Sequence, residues 1–327
     1  MKLSLDRTLS TEPLTEAERQ ELAAIIPDAD GDTPLAAQLT LDTKRRISLQ
    51  GRKLPHPEQT RIIAVANQKG GVGKTTTAVN LAAALAVGGL RVLLIDVDPQ
   101  GNASTALGLT HHSGTPSVYE ALIQEVPLGA VLQNCAEVPG LSGVPSTIDL
   151  AGSEIELVGV VSRETRLRSA IERHLRESAE RGEPRYDYVL IDCAPSLGLL
   201  TLNAFTAAHE VLLPIQCEYY ALEGLGQLIN AVALMRQYLN PGLEVSTILL
   251  TMYDCRTNLA RQVAEQVQEH FPNLVLRTRI PRSVRIAEAP SYGQTAITYD
   301  PSSSGALAYQ EAARELTARV VENRVAA

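Results

Sequence analysis

The sequence has no tryptophan, two phenylalanines and three methionines, and aromatic residues make up 4% of its 327 positions. Long hydrophobic runs are also missing. The apolar stretches Arg91 to Asp96 and Tyr188 to Asp192 are broken by charge well short of the roughly 18 residues a membrane-spanning helix needs, so no transmembrane segment is expected. The first 30 residues carry Asp and Glu throughout and contain no unbroken apolar stretch, which argues against a secretory signal and for a cytoplasmic protein. The four cysteines, Cys135, Cys193, Cys217 and Cys255, form no C-x-x-C pair and have no histidine at zinc-ligand spacing. That pattern argues against a metal knuckle or a disulfide frame and suggests reduced, mostly buried thiols. Positive charge is short as well: 29 Lys and Arg stand against 37 Asp and Glu, a net charge of -8. Any nucleic-acid contact must therefore come from a local basic patch working against an unfavourable overall field.

With 45% hydrophobic and 20% charged residues, the chain can bury a full-sized core, and one large domain with an appendage is the natural expectation. Residues 1–60 are the appendage: charged clusters and five prolines, at 13, 27, 34, 55 and 57, with no strand-like run. Thr15 to Glu18 has capping-box form and Leu22, Ile25 and Ile26 follow at helical spacing, so one short helix ending near Pro27 or a disordered tail are both open. From residue 61 to 327 the pattern changes. Apolar strands are read at Ile62–Ala66, Arg91–Asp96, Tyr188–Asp192, Val211–Ile215 and Val245–Met252. Helices are read at Thr75–Val87, Gly198–Ala208, Ala221–Leu239, Asn258–His270 and Gly305–Asn323. Strands apolar throughout their length are covered on both faces, and strand–helix alternation means an α/β fold with a mostly parallel sheet and helices on both sides.

The first strand runs into Asn67-Gln68-Lys69-Gly70-Gly71-Val72-Gly73-Lys74-Thr75-Thr76-Thr77, which opens the first helix of this domain. Glycines at 70, 71 and 73 let the backbone curl so that successive N–H groups and the helix N-terminus point at a phosphate chain. Lys74 would reach the β- and γ-phosphates of a nucleotide and the Thr75 hydroxyl would bind Mg²⁺. The second strand ends in Asp96-Val97-Asp98-Pro99-Gln100-Gly101-Asn102, and carboxylates at the carboxyl ends of parallel strands face the ligand crevice. The third, Tyr188 to Asp192, ends in an aspartate followed by Cys193-Ala194-Pro195-Ser196. This has the form of a Walker B strand, expected to hold the Mg²⁺ shell.

One departure from the ordinary phosphate-loop pattern matters. Its first glycine position is Gln68, and Lys69 follows. The form Lys-Gly-Gly-x-Gly-Lys-Thr resembles the deviant Walker A families, and several further segments resemble the ParA/Soj group among them. These are the Asp-x-Asp-Pro-Gln-Gly-Asn run, Thr201-Leu202-Asn203, Glu218 to Gly224, Leu250 to Thr257, and Ile280 to Arg285 with Glu288 to Ser291. The resemblance runs from about Arg61 to the C-terminus. It implies a P-loop NTPase-like fold and a DNA-partitioning ATPase that takes ATP and Mg²⁺, closes into a nucleotide-sandwich dimer, binds duplex DNA non-specifically and is released by ParB-stimulated hydrolysis. Such a protein would be associated with the nucleoid.

Residue by residue, the resemblance makes Lys69 the lysine that crosses to the partner's nucleotide and Asp98 the carboxylate that positions water. Together with Lys74 these form the expected catalytic set. Nucleotide contacts are expected from Lys69, Gly70, Gly71, Val72, Gly73, Lys74, Thr75 and Thr76, with Pro281 and Ser283 near the adenine. The metal set is Thr75, Asp98 and Asp192. Relatives often have Asn where this chain has Ser283. The run Arg277 to Arg285 holds four arginines and no acid, suited to salt-sensitive phosphate contacts. Its arginines could equally bind nucleotide phosphates or pair with Glu288. The resemblance favours Arg256 and Arg285, with Arg282 between them in the same patch, as DNA contacts.

Two related families compete. MinD proteins share the phosphate loop but bind membrane through a C-terminal amphipathic helix. Here Glu311 to Ala327 carries Leu316, Val320, Val321 and Val325 but no Phe or Trp, and Glu311, Glu315 and Glu322 offset Arg314, Arg319 and Arg324, a weak membrane anchor. The iron–sulfur reductases need a cysteine pair at the dimer axis, and Cys193 has no second cysteine in a recognisable ligand context.

Overall fold

The structure, a computed structural model, describes residues 15–26 and 33–319. The chain divides into two compact units, Met1–Lys53 and Leu54–Ala327.

In the first unit, helix Glu16–Ile25 starts at the expected capping box: the Thr15 hydroxyl accepts from Glu18 N–H and the Glu18 carboxylate accepts from Thr15 N–H. Pro13 and the helix stop expected at Pro27 lie outside the described residues. A second helix, Pro34–Leu49, follows, where the sequence reading allowed only one. Its start is coded by Thr33, whose hydroxyl accepts from Ala36 N–H at 3.4 Å, and by Pro34 in the first turn. Proline there is a helix initiator, since its missing N–H would have no partner in any case and its φ is already helical. Counting Pro34 among the breakers hid the element.

In the second unit, seven strands form one sheet: β1 (Arg61–Val65), β2 (Val92–Asp96), β3 (Gln133–Asn134), β4 (Leu141–Val144), β5 (Tyr188–Asp192), β6 (Glu210–Gln216) and β7 (Glu244–Thr251). Their order is β3-β4-β2-β5-β1-β6-β7, parallel throughout except for the β3–β4 pair. Side chains alternate between the two faces. Ile62, Ala64, Leu93, Ile95, Val189 and Ile191 enter one core. Ile63, Val65, Val92, Leu94, Tyr188 and Leu190 enter the other. Helices Arg166–Glu180, Leu199–Ala207, Ala221–Tyr238 and Asn258–His270 supply buried residues to the first core, and Lys74–Val87 and Ser304–Ala318 to the second. The last helix was expected to reach Asn323; it ends at Ala318 with Arg319 as its cap, and residues 320–327 lie outside the described region. Among the described residues no helix is long and apolar enough to cross a membrane.

Because β2, β5, β1, β6 and β7 all run the same way, Val65, Asp96, Asp192, Gln216 and Thr251 end on one edge of the sheet. Register fixes them closely: Asp192 is the direct partner of both Asp96 and Val65.

Candidate functional site

The turn leaving β1 is pinned from two sides before it reaches the helix. Asn67 donates through Nδ2 to the Pro214 carbonyl of β6 at 2.8 Å and accepts from Lys69 N–H at 3.0 Å. Across the loop, the Thr251 hydroxyl at the end of β7 donates to the Val72 carbonyl at 2.8 Å. Gly71 and Gly73 take φ of +77° and +87°, backbone that strains any residue with a Cβ. Gly73 caps the helix Lys74–Val87, whose first N–H groups have no partner inside the helix and so face outward from its positive end. An anion is the complementary ligand for such a cradle.

The side chains around the loop carry matched charge. Lys74 is buried, and its ammonium donates to the Lys69 carbonyl at 3.1 Å. Burial pulls its pKa down, while the charges of Asp192 and Asp98 oppose that shift. Asp192 is fully buried and neither of its carboxylate oxygens has a hydrogen-bond partner. Burial and the neighbouring Asp96 push its pKa well above the ordinary carboxylate range, with the adjacent Thr75 hydroxyl first and Lys74 after it pulling the other way. Such an orphaned buried carboxylate is costly unless a cation or donor completes it. Asp96 is equally buried but fully engaged: it accepts from Ser104 N–H (2.9 Å), the Ser104 hydroxyl (2.7 Å) and Asp98 N–H (3.1 Å). Burial raises it to about 6 despite those bonds. Asp96 therefore ties down both ends of the loop that presents Asp98, whose own Oδ1 accepts from Gln100 N–H at 3.0 Å.

The donor set suits magnesium. Mg²⁺ keeps much of its water and is held by one or two carboxylates together with substrate phosphates rather than by an all-protein cage. Asp192 and Asp98, with the Thr75 hydroxyl at the head of the helix, are a set of that kind. Among the described residues there is no cluster of three or more His, Cys, Asp or Glu that would form a protein-only metal centre. Cys135, Cys193 and Cys217 are buried and Cys255 is exposed, all four as free thiols.

Lys69 does not point at its own loop. Its ammonium is ion-paired with Glu218, on the turn between β6 and helix Ala221–Tyr238, and about half of its side chain is exposed. Pro281 lies beside the end of β7, where Tyr253 and Pro281 form a parallel bridge closed by Tyr253 N–H to Ile280 O at 2.9 Å and Arg282 N–H to Tyr253 O at 3.2 Å. Ser283 is turned toward helix Ser304–Ala318, close to Gly305. A cavity of about 260 Å³ opens beside Thr75 and Thr76, with Val79, Asn80, Ile286 and Pro290 among its walls.

Sequence reasoning missed Ser104 and Asn80, and gave no role to Thr251 and Glu218 although both lie in segments that carry the resemblance. Ser104 and Thr251 act as hydrogen-bonding braces. Asn80 bridges Thr76 O and Ala296 N–H at 2.8 and 2.7 Å, and Glu218 holds Lys69. Small polar residues inside apolar stretches were the available signal for the first three.

An AAA domain family model matches residues 60–245. The Bacillus subtilis sporulation initiation inhibitor protein Soj is 51% identical over 258 residues, 79% of this chain and 98% of that protein. The chain belongs to the ParA/Soj family of chromosome-partitioning ATPases. The Myxococcus xanthus chromosome partitioning protein ParA is likewise 51% identical, over 79% of this chain and 88% of its own length. Among solved structures, a Mycobacterium smegmatis protein described as cobyrinic acid a,c-diamide synthase, with bound ADP and magnesium, is 40% identical. It superposes with a TM-score of 0.66, over 79% of this chain and 94% of that one. The Pyrococcus furiosus cell division ATPase MinD matches at 26% identity and a TM-score of 0.62, covering 79% of this chain.

Proposed function

We propose that this ATPase moves DNA: bound to ATP and Mg²⁺ it pairs with a second copy, the pair holds duplex DNA without sequence preference, and a ParB-type centromere-binding protein triggers hydrolysis and release in the cytoplasm, on the nucleoid. The observation that carries the nucleotide part is the orphaned Asp192 carboxylate facing Lys74 at the foot of the Gly70–Gly73 cradle. Backbone N–H groups of Gly70 to Thr76 and the Lys74 ammonium hold the phosphates; Thr75, Asp98 and Asp192 hold the metal shell. Magnesium supplies charge neutralisation on the phosphates. Asp98, fixed by Asp96 and Gln100, orients the attacking water. Phosphoryl transfer depends chiefly on such positioning and charge, so no strong base is required.

Lys69 supports the dimer. One residue ahead of the glycines, it is turned toward Glu218 at the loop's outer edge, where a facing copy's phosphates would have to displace that carboxylate to engage it. Pro281 walls the base site beside β7. Ser283 is a weaker base contact, because it faces Gly305. Arg256, Arg282 and Arg285 are exposed, and two such faces in a dimer concentrate enough positive charge to act against the net -8 of each chain.

The deciding experiment is ATP hydrolysis measured with and without duplex DNA and a ParB-type protein. Stimulation requiring both supports the reading. Hydrolysis indifferent to DNA and stimulated instead by lipid vesicles would replace it with a MinD-like membrane role.

A further inference from the structure

The arginines best placed to meet DNA are not bare. Arg256 stands on the turn between β7 and helix Asn258–His270 with its side chain 83% exposed, yet its guanidinium grips the Asp254 carboxylate two-pronged: Nε to Oδ1 at 2.8 Å and Nη2 to Oδ2 at 2.7 Å. Asp254 is set for this by its own turn. Its Oδ1 also accepts from Arg256 N–H at 3.0 Å, and its carbonyl accepts from Thr257 N–H and the Thr257 hydroxyl. The Arg256 guanidinium holds the Asp254 carboxyl down at about 2. Arg285 is paired as well, through Nη1 to Glu288 Oε2 at 3.3 Å and Nε to Asp300 Oδ2 at 3.5 Å.

We infer that Asp254 and Glu288 are counter-ions carried by the protein itself, which compete with DNA phosphate for Arg256 and Arg285 and so set the strength and salt dependence of DNA binding. The inference rests on the reading above that these arginines meet DNA. The carboxylate occupies the Nε–Nη2 edge of the Arg256 guanidinium and must be displaced before a phosphate can use that edge. An arginine that brings its own carboxylate adds no net positive charge, so it releases no counter-ion from the duplex. The slope of log affinity against log salt counts only net neutralised phosphates, at about 0.9 for each. The pairing thereby weakens each face of a dimer alike, and DNA phosphate must displace the carboxylates before either arginine counts toward the slope.

The test uses the full chain with ATP and Mg²⁺ and a fluorescent duplex, with affinity measured by anisotropy from about 50 to 200 mM salt, the range over which phosphate contacts separate most clearly. Asp254→Asn keeps an oxygen for Arg256 N–H, so the turn is retained while the charge is removed. Tighter binding at low salt is expected, with a slope steeper by about 0.9 per released arginine, about 1.8 per dimer. At Arg285 two carboxylates must go: Glu288→Gln combined with Asp300→Asn should do the same there, independently of the Asp254 turn. In Asp254→Asn combined with Arg256→Ala the gain should vanish. If Arg256→Ala weakens binding but Asp254→Asn and the Glu288→Gln, Asp300→Asn pair leave affinity and slope unchanged, the counter-ion inference is overturned and the DNA reading stands. If Arg256→Ala and Arg285→Ala both bind as the wild type does, the assignment of these arginines to DNA falls, and the inference with it.

Discussion

Replacing Asp192 by Asn should make the nucleotide-free protein more stable while abolishing its response to MgATP. Both carboxylate oxygens are buried with only the adjacent Thr75 hydroxyl and Lys74 to favour their charge, beside a second buried carboxylate. A buried acceptor left unsatisfied costs about 1–3 kcal/mol, more when it is charged. Removing the charge should recover an amount of that order, less whatever attraction to Lys74 is lost. For a domain of this size about 1 kcal/mol corresponds to roughly 2–4 °C, so differential scanning calorimetry at neutral pH should show a melting temperature higher by roughly 2–12 °C. The pH dependence has a definite sign. Asp192 is raised above its ordinary 3.8, so the folded state binds its proton more tightly than the unfolded chain. Its contribution is most favourable below 3.8 and is lost as pH rises through the folded value. The gap between Asp192→Asn and wild type should therefore open as pH is raised from about 4 toward neutrality. MgATP should raise the melting temperature of wild type and not of the variant. A variant that melts below wild type at neutral pH without ligand, or gains the same shift from MgATP, would refute the assignment of this carboxylate as an uncompensated metal anchor.

Four further outcomes are expected. Asp98→Ala should bind ATP and dimerise but hydrolyse at least about 10²-fold more slowly, the scale on which loss of a positioned catalytic group acts; rapid phosphate release in a single-turnover assay would point to another water-positioning residue. Lys69→Ala should bind ATP as a monomer and fail to give the ATP-dependent dimer by light scattering, losing DNA binding and partner-stimulated hydrolysis with it. Arg256→Ala and Arg285→Ala should lower DNA affinity while leaving ATP-dependent dimerisation intact, which anisotropy and light scattering on the same samples separate. Arg61→Ala should cost about 3–5 kcal/mol by urea denaturation, because it strands the buried Glu210 that Arg61 now grips through two 2.7 Å bonds.

The parts of the fold built on strong periodicity were readable. Tyr188–Asp192 and Asn258–His270 match their expected bounds, and β1, β2, β6, β7 and the long helices differ by a residue or two at most ends. What escaped was weakly apolar or short. Strand β4 is Leu-Ser-Gly-Val, four residues of which Ser142 and Gly143 carry little strand signal. Helix Arg166–Glu180 is dominated by charge, yet Leu167, Ala170, Ile171, His174 and Ser178 lie buried along one side, a helical spacing that was present but overlooked. In the site, the motif named the backbone cradle, Lys74 and the strand-end carboxylates. It could not show that Asp96 is a brace and Asp192 an orphan, because that difference depends on Ser104 folding back eight residues later. Nor could it show that Lys69 rests on Glu218, a contact spanning 149 residues.

The bond from Thr251 to the Val72 carbonyl has a bearing on the order in which a working molecule appears during synthesis. It joins the phosphate loop to a strand made 179 residues later, while β6, which anchors Asn67, comes 147 residues after that anchor. A nascent chain that has emerged as far as β5 already possesses the whole glycine loop and both buried aspartates, but not the two ties that hold the loop in shape. The loop can be held in this shape only once β6 and β7 have been made, so tight nucleotide binding is expected late in synthesis.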